Sequence, residues 1–309
     1  MTTTAGGSRS SIGLASLTLL IAAAHLLFLG TPPINMEFAF SDAAKYFSSG
    51  EPQYIEQYFH YEANTLAIPW LAFAINWLFP FLNIDHIPRL LSVLGIPFLT
   101  FGVLRINRQL AQRINPYLLV SLVLLNPLVW TFAGRGTADF LPAAIAVFAL
   151  SLFWNGDEES RTDLWRRILA SATLGLAAVV KYHALLLLAG VLAEIAIRRR
   201  AQYGKMLLQW IACAAPAIFV VGAYLIVVKI VFGFWLTPPE FQQRHGINLF
   251  TVPNNFLSYA GFLVLITIPF SLAISWPWVI ESRSRRGAVA LVLAITFIAG
   301  YFSCRTTAR

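Results

Sequence analysis

The chain has 309 residues, 58% of them hydrophobic and only 12% charged, with a mean hydropathy of +0.69. A soluble domain of this size needs far more charged surface, and a membrane β-barrel needs alternating rather than continuous apolar runs. The formal charge of +8 would suit nucleic acid as a partner, but the basic residues sit in short segments between apolar runs rather than in one patch, so no nucleic acid is expected. What remains is an all-α polytopic membrane protein, with the lipid bilayer as its solvent.

The first apolar run, residues 12–29, is longer than a signal-peptide core. It is followed by "GTPPINM", which offers no small-x-small cleavage site, so a retained first helix is expected. The loop at 30–87 comes next. It carries Glu37, Asp42, Glu51, Glu56, Glu62 and Asp85 against a single Lys45, with Tyr46, Tyr54, Tyr58, Trp70 and Trp77 among them. Loops of this length are functional or disordered, and the aromatic content argues against disorder. An interfacial aromatic belt explains the rings; it explains less well why Asp42 stands in an amphipathic stretch so soon after the first helix.

Charge decides the ambiguous segments. "NTLAIPWLAFAINWLFPFL" (64–82) looks long enough to span, but a crossing there would put Arg105, Arg108 and Arg113 outside, against the positive-inside rule. It is therefore expected to lie in the interface or re-enter it, broken by Pro69 and Pro80. Crossings at 88–104, 116–133 and 138–154 follow. Residues 168–197 could form one long helix, which would place Arg198, Arg199 and Arg200 outside. Two short crossings, 168–180 and 184–197, turning near Lys181, keep them inside. Crossings at 207–232, 256–279 and 288–303 bring the total to about nine. The N-terminus and the loops bearing Arg161, Arg166, Arg167, Lys205, Arg283, Arg285 and Arg286 are then cytoplasmic. Segments 30–87, 134–137, 181–183 and 233–255 face out. No repeat is visible, and one transmembrane domain over 1–309 is expected. The chain stops at "AGYFSCRTTAR", directly after the last span, and a truncation is expected there. Cys213 and Cys304 are too few for a disulfide framework or a zinc site, and the sequence offers no support for a divalent metal or any other cofactor.

The outer side gathers the chemistry. "AGRGTADFLP" (133–142) is a turn whose charges are Arg135 and Asp139; an acid at a helix start complements the dipole, so a helix-start reading stands beside a site reading. Lys181, in "AAVVKYHALLL", lies between apolar runs with only Tyr182 and His183 as polar cover. Insertion at bilayer depth costs a lysine about 2.5–3.5 kcal/mol, which favours a site role over a snorkelling side chain. Lys229 and Glu194 read as interface charges. The loop with Glu240, Arg244 and His245 reads equally as a cover over substrate or as solvated chain. "HYE" (60–62) has the wrong spacing for a shared helix face and is discounted as a metal site. An acid near cations at a membrane surface suits deprotonation of a hydroxyl, worth on the order of 10²–10⁴ in rate, together with binding of a phosphate leaving group.

In the order of these elements the chain resembles the GT-C glycosyltransferases that use polyprenyl-phosphate sugars, closest to the protein O-mannosyltransferase and aminoarabinose–lipid A transferase branch. The resemblance covers about residues 12–200. It rests on "SDAAKY" after the first helix, "AIPWLAFAINWLF", "IPRLLSVLGIPFLTFGVL", "NPLVWTFAGRGTADFLPAAIAVFAL" and "TLGLAAVVKYHALLLL". Many members carry two adjacent acids where this chain has Ser41 and Asp42, and members are usually longer. The resemblance implies a GT-C-like bundle with in-plane helices in the first outer loop, Asp42 as catalytic base, and Asp139 and Lys181 lining the cavity near the sugar phosphate. Tyr46, Arg89, Arg135, His183 and Arg244 complete the expected substrate- and phosphate-binding set, with Arg305 as a late phosphate-binding candidate. The expected partners are a polyprenyl-phosphate-linked sugar donor and a glycan, lipid or protein acceptor, at a bacterial inner membrane. A lipid or solute transporter, and a non-catalytic GT-C-like protein, are the competing readings.

Overall fold

The structure is a computed structural model that describes residues 5–33, 37–61, 65–109, 114–153, 161–199, 203–236 and 238–239. Among these residues every regular element is helical and none is a strand. The chain divides into two compact units, Met1–Ser160 and Arg161–Arg309.

The first unit holds α1 (Ala5–Leu26), α2 (Glu37–Ser49), α3 (Pro52–Tyr61), α4 (Ala67–Leu78), α5 (Ile87–Val93), α6 (Gly95–Gln109), α7 (Pro116–Leu124), α8 (Pro127–Ala133) and α9 (Phe140–Phe153). Local chemistry starts several of them. Pro88 sits in the first turn of α5, where its missing N–H costs nothing. Asn115 caps α7, its side-chain oxygen accepting from Tyr117 N at 2.9 Å and Leu118 N at 3.3 Å, with Pro116 directly behind it. Leu94 joins α5 and α6 into one apolar stretch, Ile87–Gln109, long enough to cross a membrane. The core runs between these helices and is built from Ile21, Val93, Ile96, Leu99, Val120, Leu124, Ala133, Phe140 and Ala144.

Contacts fix the directions. Tyr117 lies against Gly13 and Trp130 stacks on His25, so α7 and α8 run the same way as α1. Phe140 lies against Gly95, and Arg105 Nε donates to Ser151 O at 3.1 Å, so α9 runs with α6. Arg89, at the start of α5, meets the end of α1, so α5 and α6 run against it. One end of the unit therefore carries the exit of α1, the entry of α5 and the α8–α9 turn. The opposite end carries Arg105, Arg108 and the start of α7. Helices α2, α3 and α4 belong to the first end. Tyr58 ties α3 down by donating to Thr65 O at 2.5 Å and by an edge contact with Phe40 of α2.

The second unit holds α10 (Arg161–Val180), a 3₁₀ turn at Tyr182–Ala184, α11 (Leu185–Arg199) and α12 (Tyr203–Phe232). The buried residues of α10 include Arg167, Ala170, Ser171, Leu174, Ala177, Ala178 and Val180, mostly small in the middle of the helix. Small residues let helix backbones approach closely. At Gly175 the approach is closest, since a Cβ there would stand 2.9 Å from Ala217 Cα. Beside it, Pro216 lies inside α12. Ser171 Oγ donates to Cys213 O and accepts from Ala217 N at 3.0 Å. These are two backbone groups four residues apart, which a regular helix would pair with each other. A side chain inserted into the ladder is a recognised cause of helix bending.

Further along, the Tyr182 and Tyr224 side chains share a hydrogen bond, so α10 and α12 run parallel. Trp210 Nε1 donates to Leu192 O at 3.0 Å, so α11 runs back against α12. The helix breaks at Lys181, whose backbone is extended with φ −150° and ψ 112°.

One expectation meets its structural counterpart here. Residues 168–197 form two helices turning at Lys181 rather than one long helix. The described part of the segment at 64–82, residues 65–82, contains the 12-residue α4, about 18 Å long. Two described segments, Ile87–Gln109 and Met206–Phe232, are long and apolar enough to span; Ile12–Leu26, Phe140–Phe153 and Tyr182–Ala196 are shorter apolar helices. Residues 116–133 are two helices interrupted at Leu125 and Asn126. The expected crossings at 256–279 and 288–303 lie outside the described residues.

Candidate functional site

Helix α2 carries the acid on which the sequence reading centres. Glu37, Phe40, Ser41 and Ala44 recur at helical spacing on its buried face. Asp42, Lys45 and Tyr46 share another face and are half-buried. Lys45 Nζ donates to Asp42 Oδ1 at 3.1 Å and pairs with Asp85 Oδ1 at 2.8 Å, which ties α2 to the segment before α5. The Asp42 side chain is 18% exposed. Its second carboxylate oxygen makes no hydrogen bond to a described residue. Burial works against the Lys45 ammonium, but the hydrogen bonds and charges of Asp85 and Asp42 outweigh it and hold its pKa above the ordinary 10.5. Tyr46 packs edge-on against Phe47, which in turn meets Trp70 and Phe73 of α4.

One turn before Asp42 lies a fully buried ion pair. Arg89 Nη2 donates to Glu37 Oε2 at 2.7 Å, with side-chain exposures of 5% and 4%. Arg89 also donates to Phe28 O and Thr31 O at 2.7 Å each, to Thr31 Oγ1 at 3.1 Å and to Pro32 O at 3.0 Å. Glu37 Oε1 accepts from Gly136 N at 2.8 Å. Sequence reasoning put Arg89 among the phosphate-binding groups. In the structure its fork is taken up by protein oxygens, and it serves as an interior clamp. Glu37 is the residue that reasoning passed over. Its spacing with Phe40, Ser41 and Ala44 was the available signal, because an acid on a buried face needs a cation.

The turn over 134–139 follows from that clamp. Gly136 is pinned to Glu37 and leaves no room for a side chain, since a Cβ would stand 3.1 Å from Pro88 Cβ. Arg135 is half-buried, and its guanidinium makes no hydrogen bond or ion pair with a described residue. The Thr137 hydroxyl is buried without a hydrogen-bond partner. Asp139 is half-buried directly before α9. The first unit thus brings Asp42, Tyr46, Arg89, Arg135 and Asp139 to one end of its bundle. Lys181 and His183 stand together in the second unit at the α10–α11 turn, both half-buried. Arg244, with Glu240, His245 and Arg305, lies outside the described residues. Among the described residues no group of three or more His, Cys, Asp or Glu side chains could hold a metal.

No family model, no curated protein and no solved structure matches the chain.

Proposed function

We propose that the chain is a membrane glycosyltransferase that moves a sugar from a polyprenyl-phosphate donor to a hydroxyl acceptor on the extracytoplasmic face. The observation that carries the reading is the state of Asp42: one oxygen is fixed by Lys45, the other is open, and the carboxylate belongs to the same end of the bundle as Arg135. The resemblance of the sequence motifs to those of the GT-C enzymes motivates it as well.

In this reading the open oxygen of Asp42 takes the proton of the acceptor hydroxyl. The hydroxyl oxygen forms the new bond to the anomeric carbon as the bond from that carbon to the phosphate oxygen breaks. The bonding pair leaves with the phosphate, and the reaction is a single displacement with inversion. Arg135, the cation of the 134–139 turn, meets the charge that builds on the leaving phosphate. Arg89 is committed to its clamp and takes no part in donor binding.

The test is sugar transfer in purified membranes with a panel of radiolabelled polyprenyl-phosphate sugars. Asp42→Asn keeps the shape and removes the base. Donor consumption is expected to fall by about 10²–10⁴ at unchanged expression, and consumption that survives the substitution removes Asp42 as the base.

A further inference from the structure

Two full charges inside a protein are costly unless both are matched completely, and an apolar pair of similar volume would hold the same helices at least as well. Stability alone therefore does not account for Glu37 and Arg89. Their geometry gives a better account. The Arg89 fork gathers the carbonyls of Phe28, Thr31 and Pro32, where the chain leaves α1, together with the carboxylate on the first residue of α2. The other oxygen of that carboxylate holds Gly136 N, next to Arg135. Each bond is directional, and each joins segments far apart in the chain.

We infer that Glu37 and Arg89 are positioning residues that fix α2, and with it Asp42, against the turn over 134–139. For its catalytic consequence the inference rests on the glycosyltransferase reading; its geometry stands without it. Neither side chain reaches substrate. They act by setting the separation between the proton acceptor on α2 and the cation in the turn. An error of about 1 Å in such a separation costs on the order of 100-fold in rate.

Three variants grade the effect. Glu37→Gln keeps an acceptor for Gly136 and removes the charge; Glu37→Ala removes both; Arg89→Lys keeps the charge and loses the fork. Per folded molecule, kcat is expected to fall about tenfold in E37Q and on the order of 100-fold in E37A and R89K. The donor KM is expected to stay within about threefold of wild type, because no group that binds substrate has changed. A second readout needs no activity. Spin labels at the exposed positions Ser48 on α2 and Thr131 on α8 report the separation of the two segments, expected narrow in wild type and broadened or shifted in E37Q, E37A and R89K. An unchanged distribution in folded E37Q and R89K overturns the inference. A shifted distribution with unchanged kcat overturns its catalytic half. Should wild type consume no donor, the enzyme reading fails while the distance measurement still decides the positioning. If E37A does not fold, E37Q and R89K carry the test.

Discussion

At the scale of single residues, the loop after α1 shows how charge is shared out. Its one lysine stands between two of its acids. The ionic contribution of Lys45 to folding is complete below its ordinary pKa of 10.5 and is lost as the pH rises through the higher value of the folded protein. The side chain is 33% exposed, so pairs of this kind contribute only about 0.2–1 kcal/mol. Asp85→Asn takes away one of the two carboxylates, and the Lys45 titration followed by ¹³C-lysine NMR is expected to move to lower pH. An unmoved midpoint would mean that Asp85 does not hold the ammonium in solution. The sequence pointed to Asp42 and to the excess of acids around Lys45. It left unread which acid meets which cation, because Asp85 and Arg89 reach α2 only through chain folding. Arg89 illustrates the difficulty: an arginine opening an apolar helix reads equally as a ligand for phosphate or for protein carbonyls, and the partners decide between them.

At the scale of elements, the break at Lys181 was legible because a continuous helix would have carried Arg198, Arg199 and Arg200 to the wrong side of the bilayer. The join between α10 and α12 was not, since it depends on the hydroxyl of Ser171 meeting the backbone around Pro216. Ser171→Ala leaves Cys213 O and Ala217 N, both buried, without that hydroxyl. The expected cost is about 1–3 kcal/mol, read as a lowered unfolding midpoint in detergent. A midpoint equal to wild type would show that the helix mends its own ladder. Threonine at 171 keeps the hydroxyl, but its extra methyl must fit where Ser171 is fully buried.

At the scale of the whole molecule, hydropathy and the distribution of basic residues supplied the class and an orientation. The described residues of the first unit are consistent with both: their acids cluster at the end that carries α2, while Arg105 and Arg108 stand at the opposite end. Cysteine labelling tests the orientation directly. With Cys213 and Cys304 replaced by alanine, a membrane-impermeant maleimide is expected to label Ser48→Cys in intact cells. Tyr203→Cys, at a position 74% exposed, is expected to label only after permeabilisation. The reverse pattern would invert the orientation and move Asp42 to the cytoplasm. The boundary between the two units falls in a charge-rich stretch, "NGDEESRTDLWRR" (155–167), but sequence alone reads it as one more polar loop between apolar runs, like those around Arg105 and Arg198, and so does not single it out as a division.

The meeting of Ser171 and Pro216 also has a consequence for how the chain is made. A helix with a proline inside it has backbone groups that lose their usual partner and, in apolar surroundings, need another. Ser171 precedes Pro216 by 45 positions, so synthesis delivers the hydroxyl before the defect it repairs, and α12 emerges to find its splint already laid down. The reverse order would leave Cys213 O and Ala217 N without that hydroxyl until its segment had left the ribosome.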